Sequence, residues 1–277
     1  MGQSISEADD SGRGRAAERM VYLIYHELEG AGGAPCTREE GYLRYIVRES
    51  EFRRQIAFLC EEGFRGVNVS TALDAPADRN VAITFDDGCE SDLTVAAPLL
   101  REANFQATFF VVVGKVGTPG HLSLPQLLEL QRLGFEIGCH SMSHPHLTDL
   151  SGVELRHEIV DAKGELEQML GRRIDHFSCP GGRWNRRVAE LTLGAGYLSV
   201  ATSRIGLNSP ASDPYSLARV GVMRSTTLVE FQAMCQGRGL WRPKMRALVL
   251  SSVKRVLGNS RYDRMRSGLL DGKSPAA

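Results

Sequence analysis

Short apolar runs recur along the chain, each separated from the next by a segment of helical character. They are Met20–Tyr25 (MVYLIY), Gly66–Ser70, Val81–Phe85, Ala107–Val113 (ATFFVVV), Phe135–Cys139, Ile174–Ser178 and Tyr197–Ala201. Short runs of this kind are what strands covered on both faces look like, and parallel strands are covered in this way. Between them, Glu51–Glu62 places Phe52, Ile56, Phe58 and Leu59 near helical spacing and stops at Gly63. Asp92–Glu102 and Leu124–Leu133, the latter closed by Gly134, read the same way. Ser151 and Glu154 have capping-box spacing, so a helix is expected from there to Leu170, with Gly171 just past its end. Strand–helix alternation of this length implies parallel strands joined by helical crossovers, hence an α/β sheet or barrel.

That architecture has a chemical consequence. His26, Asp86–Asp87, His140 and Pro180–Gly182 each follow an expected strand directly. The C-terminal ends of parallel strands share one face, where active sites gather. Distant segments therefore deliver polar groups to one mouth. Two adjacent aspartates ending an apolar run need a compensating cation or hydrogen bonds. His140 and His144, at i and i+4, converge on one ion if their segment is helical or tightly turned. A carboxylate with two imidazoles leaves coordination positions open for water and substrate, as catalysis requires. The second aspartate can then stay ionised and accept a proton from the attacking water.

Charge and cysteine content set the remaining bounds. The chain has 277 residues, 42% of them hydrophobic, enough for the core of one large domain. Its 33 basic and 33 acidic residues cancel, which argues against a nucleic-acid partner. Met1–Glu18 is polar and lacks the apolar core of a secretory signal, so residues 1–19 are expected to be a disordered leader and the protein cytoplasmic. The six cysteines show no CxxC spacing and are expected as free thiols. No apolar stretch approaches the ~18 residues that span a bilayer.

The pairing of TFDDG at Thr84–Gly88 with H-S-x-x-H at His140–His144 resembles the first two motifs of the polysaccharide deacetylases, carbohydrate esterases that share a NodB homology domain. The resemblance spans residues 20–235 and implies a distorted (β/α) barrel that hydrolyses the N-acetyl amide of an amino sugar. It implies Asp86 as general base and Asp87, His140 and His144 as ligands of a divalent metal, with zinc the first expectation and other divalent ions acceptable. In the third motif, Pro180 and Gly182 match, while Ser178 stands at the usual arginine and Gly181 at the usual aromatic. The family's oxyanion donor would be the Gly181 N–H, and Arg183 would be the substitute for the arginine that orients the base. Trp184 would stack on a sugar ring or pack. The C-terminal Leu-x-His that supplies the family's general acid is absent, since no histidine follows His176. Leu23-Ile-Tyr-His26 resembles the opening of members, including permuted exopolysaccharide deacetylases, whose acid comes from the N-terminal side. His26 is therefore expected as the acid. The segments Thr202–Asn208 and Asp213–Arg219 resemble rim and closing-strand elements, with Arg204 or Asn208 in reach of substrate.

The domain is expected over residues 20–236, followed by a basic helical extension and frayed tail over 237–277. Within that extension, residues 240–266 carry an apolar stripe flanked by arginine and lysine, suited to packing on the domain or to peripheral contact with the inner membrane face. That segment keeps open a second substrate class, a lipid-linked sugar deacetylated or deformylated at the cytoplasmic face. A catalytically silent glycan-binding domain is the third reading. The sequence sets no oligomeric state.

Overall fold

The computed structural model describes residues 19–30, 35–37, 41–77 and 79–240. The expected leader, apart from Arg19, and nearly all of the basic extension lie outside the described residues. Among the described residues there are ten strands: β1 (Val21–Tyr25), β2 (Glu27–Glu29), β3 (Ile46–Arg48), β4 (Arg65–Val67), β5 (Asn80–Phe85), β6 (Thr108–Val111), β7 (Glu136–Cys139), β8 (His176–Ser178), β9 (Ser199–Ala201) and β10 (Val220–Gly221). Eight form one sheet in the order β10-β1-β5-β6-β7-β8-β9, with β4 and β6 both pairing along β5. β2 and β3 form a separate pair. Every strand pairing is parallel. The sheet curls into a distorted (β/α) barrel, the form that the family resemblance implies and one of the two that the alternation of runs and helices left open.

Every residue of β1 and β5 is buried, which is why those runs are mostly apolar. The polar exceptions in β5 are satisfied, Asn80 donating to the Ala75 carbonyl and Thr84 to the Leu23 carbonyl. Phe85 at the end of β5 stacks between Tyr25 and Phe109, with ring centroids 5.2 and 5.0 Å away. Tyr25 and Phe85 also pack edge-on against Phe52 of the helix Glu49–Glu61, so these rings sit on the helix-covered face of the sheet, while Tyr22, Ala82 and Phe110 cluster on the opposite face. The barrel closes through Leu217–Gly221. Leu217 bridges Ala201 of β9, and three residues later Val220 pairs with Leu23 of β1. The Leu217 carbonyl accepts from Thr202 N–H at 3.0 Å and the Leu217 N–H donates to Val200 at 2.9 Å. A single connector thus spans the seam between the last and first strands.

The helices follow the sequence signals, with local departures. Glu49–Glu61 and Leu124–Arg132 lie where the spacing predicts them. The Ser151/Glu154 capping box forms, and the helix ends at Leu170 with Gly171 left-handed at φ 64°. Its middle, His157–Asp161, widens to π geometry. Asp92–Glu102 likewise starts as a π segment before Ala97–Glu102 becomes α-helical. The expected strand Gly66–Ser70 stops at Val67, because Asn68 accepts from Thr71 N–H and caps a short helix, Val69–Asp74. Among the described residues, no helix is long and apolar enough to cross a membrane.

Candidate active site

β5 ends at Phe85, and the backbone then turns so that consecutive carboxylates serve one site. The Asp86 N–H still donates to Tyr25 at 2.9 Å, but Asp87 adopts φ 82°. In an extended strand the two side chains would point to opposite faces. A non-glycine residue in the left-handed region is uncommon and marks a conformation held by its surroundings. Gly88 continues the turn at φ 71°, with Val111 so near that a Cβ there would meet it at 3.2 Å.

Asp86 is 4% exposed and its carboxylate is gripped by Arg219, a residue with no exposed surface. The guanidinium donates to Oδ1 and Oδ2, both at 2.8 Å. Its remaining contacts go to Thr84 Oγ1 at 3.0 Å, Ser178 Oγ at 2.7 Å and the Thr202 carbonyl at 3.0 Å. Five donor contacts meet five acceptor atoms, which is what a buried arginine requires. Burial alone would raise the Asp86 pKa. The Arg219 charge, with His140 and the Arg219 hydrogen bonds, outweighs it and holds the carboxyl well below the usual carboxylate range. The expected substitution of Arg183 for the missing motif arginine is therefore corrected. The cation on Asp86 is Arg219, delivered by the connector that closes the barrel. Ser178 donates to both Asp86 oxygens at 3.2 Å from the position where the family places its arginine.

Asp87, His140 and His144 form a compact group. Asp87 Oδ1 lies 3.6 Å from His140 Nε2 and 3.4 Å from His144 Nε2. One ligand atom from each residue lies within 4.8 Å of the others. His140 donates its Nδ1–H to the Ser178 carbonyl at 2.9 Å, which leaves Nε2 as the lone pair facing Asp87. Burial, foremost, lowers the His140 pKa to about 4, so the ring is neutral at neutral pH. Burial would raise the Asp87 pKa, but His26, His140 and His144 together bring it below its ordinary value. The HxxxH segment is a tight turn and not a helix, with Ser141 at φ 68° and His144 at φ 66°. Glu158, in the π segment, anchors that turn by accepting from Met142 N–H, Ser143 N–H and Ser143 Oγ at 2.9, 2.8 and 2.6 Å. A carboxylate and two imidazoles with open space on one side fit a divalent ion of the zinc class.

The same cavity is lined by His26, Gly181, Gly182 and Arg183. His26 follows β1, packs against Tyr45 with ring centroids 4.6 Å apart, and stands close enough for its charge to act on both aspartates. Its Nδ1 is buried without a hydrogen-bond partner. Gly181 adopts φ 59° at the exposed edge. Gly182 cannot be replaced without movement, because a Cβ there would fall 2.2 Å from Ser203. Pro180, which opens this loop, is buried. Trp184 leaves the cavity: its indole N–H donates to the Tyr215 carbonyl at 2.7 Å and its ring packs on the core. Asn208 is likewise buried, bonded to Ala218, and Arg204 reaches Ser216.

Two further groups behind the site escaped the sequence reading. Cys36 and Cys89, expected as free thiols, form a disulfide with Cα atoms 5.7 Å apart. They are 53 positions apart in sequence, so short-range spacing carried no signal of the pairing. Cys60, Cys139, Cys179 and Cys235 are free. Asp92 is fully buried, and neither carboxyl oxygen has a hydrogen-bond partner. Burial first, then the charges of Asp87, Glu27 and Asp86, push its pKa well above the ordinary value. An acid raised in the folded state contributes stability that is complete below its unfolded pKa of ~3.9 and is lost as pH rises toward the folded value. Asp92→Asn removes that loss. In metal-free protein its melting temperature, relative to wild type, should climb between pH 4 and pH 8 by roughly 2–4 °C per kcal/mol recovered. A pH-independent difference would show that Asp92 is ionised in the fold.

Comparison with known proteins covers the centre of this site. The sequence profile described as Polysaccharide deacetylase matches residues 74–200, which include Asp86, Asp87, His140, His144 and Gly181 but neither His26 nor Arg219. The chain is 28% identical to YxkH of Bacillus subtilis (strain 168) over 210 residues, covering 74% of this chain and 71% of that protein. It is 34% identical over 146 residues to the peptidoglycan-N-acetylglucosamine deacetylase of Bacillus cereus, covering 52% of this chain and 63% of that one. Among solved structures, the Streptococcus pyogenes deacetylase PplD in complex with acetate superposes with a TM-score of 0.69 at 24% identity, covering 79% of this chain and 99% of that one. At that identity the superposition supports the barrel fold alone. The profile match falls on the two motif pairs at the strand ends, so over residues 74–200 the chain is similar to the polysaccharide deacetylases.

Proposed function

We propose that the chain is a divalent-metal-dependent hydrolase that removes the acetyl group from an N-acetylated amino sugar of a polysaccharide or glycan precursor. The carrying observation is the junction of the Asp87/His140/His144 group with an Asp86 carboxylate held ionised by Arg219 in one cavity. Relatives named as acting on chitooligosaccharide and peptidoglycan N-acetylglucosamine support this substrate class. A divalent ion held by Asp87, His140 and His144 would polarise the acetyl carbonyl and acidify the attacking water. Asp86 takes the proton of that water as its oxygen bonds to the carbonyl carbon. The Gly181 N–H is the candidate donor to the developing oxyanion. When the C–N bond breaks, His26 gives its proton to the sugar nitrogen, so that acetate and a free amine leave. The absent motif arginine and the absent C-terminal histidine favour the silent-domain reading; against the first, Arg219 supplies a guanidinium to Asp86 by another route, and the second rests on His26.

The test is acetate release from N-acetylglucosamine oligomers, run beside release from an activated aryl acetate whose leaving group needs no proton. His26→Gln should lower amide kcat by about 10²–10⁴-fold while sparing aryl acetate hydrolysis. Equal losses on both substrates would remove His26 from the acid role. Absence of acetate release from every oligomer by metal-loaded wild type would remove the deacetylase reading itself. Release of acetate or formate from lipid-linked sugars alone would move the substrate to the membrane-associated class.

A further inference from the structure

Tyr42 joins the candidate metal ligand to the disulfide. Its hydroxyl donates to Asp87 Oδ2 at 3.3 Å, while the other carboxylate oxygen, Oδ1, faces the two histidines. The same hydroxyl lies 2.9 Å from Cys36 Sγ and 3.5 Å from Cys89 Sγ. Tyr42 is buried and starts the 3-10 turn Tyr42–Tyr45, whose Arg44 and Tyr45 line the cavity. Cys89 directly follows the Asp86-Asp87-Gly88 turn, and the Cys36 N–H donates to Glu27 Oε2 at 3.0 Å. The disulfide therefore fastens the segment before Tyr42 to the turn that carries Asp87. A carboxylate with two free oxygens rotates about its Cβ–Cγ bond, whereas one oxygen held by a phenol fixes which oxygen the ion meets.

We propose that Tyr42 is a positioning residue for Asp87 and that the Cys36–Cys89 disulfide holds it in place, so that the thiol–disulfide state of this pair sets divalent-metal affinity at Asp87, His140 and His144. This rests on the reading of those three residues as metal ligands. A phosphine reductant opens the clasp in a balanced step. The S–S bond breaks, two electrons pass from phosphorus to sulfur, water supplies the two thiol protons, and its oxygen ends as phosphine oxide. Glu27, Cys36 and Cys89 also bring ligand atoms within 4.8 Å of one another, but sulfurs bonded to each other are not thiolate donors.

The experiment is zinc titration of metal-free protein against a chromophoric chelator, in oxidised and phosphine-reduced states, with melting curves confirming that each form is folded. Unreduced, denatured protein should show four thiols out of six cysteines. Oxidised Tyr42→Phe should bind zinc about 10-fold more weakly than oxidised wild type. Reduction should weaken wild type by a similar factor and add little in Tyr42→Phe, because both act through one contact. Cys36→Ser/Cys89→Ser should match reduced wild type and ignore the reductant. Unchanged affinity on reduction, or the same loss in wild type and Tyr42→Phe, would overturn the clasp. A second zinc equivalent bound only by reduced protein would overturn it too, making Glu27, Cys36 and Cys89 a metal site. Asp87→Ala separates the two layers. If it leaves zinc affinity intact, the ligand reading fails and the clasp with it. If it abolishes binding while Tyr42→Phe and reduction change nothing, only the clasp fails.

Discussion

Asp86→Asn is expected to lower amide hydrolysis by about 10²–10⁴-fold in kcat while leaving divalent-metal affinity within about twofold, because it removes a proton acceptor and not a ligand. The amide oxygen of asparagine still accepts from Arg219, but it neither takes the water proton nor neutralises a fully buried guanidinium. Rates must therefore be read on the folded fraction, with zinc stoichiometry and a melting curve measured on the same sample. Asp87→Asn should do the reverse, weakening metal binding first and turnover through it. The separation matters because the two carboxylates are neighbours in sequence and differ only in what surrounds them. Asp86 faces Arg219 and Ser178, whereas Asp87 faces His140, His144 and Tyr42. Wild-type turnover by Asp86→Asn would end the base assignment. Loss of metal in the same variant would make Asp86 a ligand.

What the sequence could disclose followed the range of each interaction. Asp86, Asp87, His140 and His144 stood out because each motif is local and each follows an apolar run whose end is set by strand geometry. His26 reached the same cavity for the same reason, as the residue after β1. Arg219 lies 133 positions from Asp86, and its role exists only because the closing connector returns beside β1. A signal was nonetheless present. In Leu217-Ala-Arg-Val-Gly-Val222, one arginine interrupts an otherwise apolar stretch, and a charge inside such a stretch requires a buried acid. Searching for the cation near the third motif pointed to Arg183 instead, which lines the cavity mouth. Tyr42 and the Cys36–Cys89 pair carried less signal still, since β2 and β3 are three residues each and the segments around Cys36 follow no repeat. Trp184 could stack or pack on sequence grounds; its indole bond to Tyr215 decides for packing.

Arg219→Met should be the most destabilising single change at the site, by about 3–5 kcal/mol at neutral pH, because it strands a buried carboxylate while keeping similar volume. Its pH dependence gives the sharper signature. In wild type the Asp86 pKa is depressed, so the pair contributes stability above the unfolded carboxylate range, and this is lost as pH falls through the folded value. Without Arg219 the burial that opposed the shift prevails, and the Asp86 pKa moves above its unfolded value. Its contribution is then complete at low pH and is lost as pH rises. The stability gap between wild type and Arg219→Met should accordingly be widest near pH 7 and narrow toward pH 4, as read by urea melts at each pH. The pH–rate profile of the variant should shift to the alkaline side, since its base is protonated at pH values where the wild-type base is ionised. Asp86→Asn/Arg219→Met, with neither charge buried alone, should recover a large part of the lost stability without recovering turnover. A double-mutant cycle then isolates the pair energy. A pH-independent gap, or strictly additive single losses, would mean that Arg219 supports the barrel seam by packing on Phe110 and bonding to the Thr202 carbonyl and does not govern the charge of Asp86.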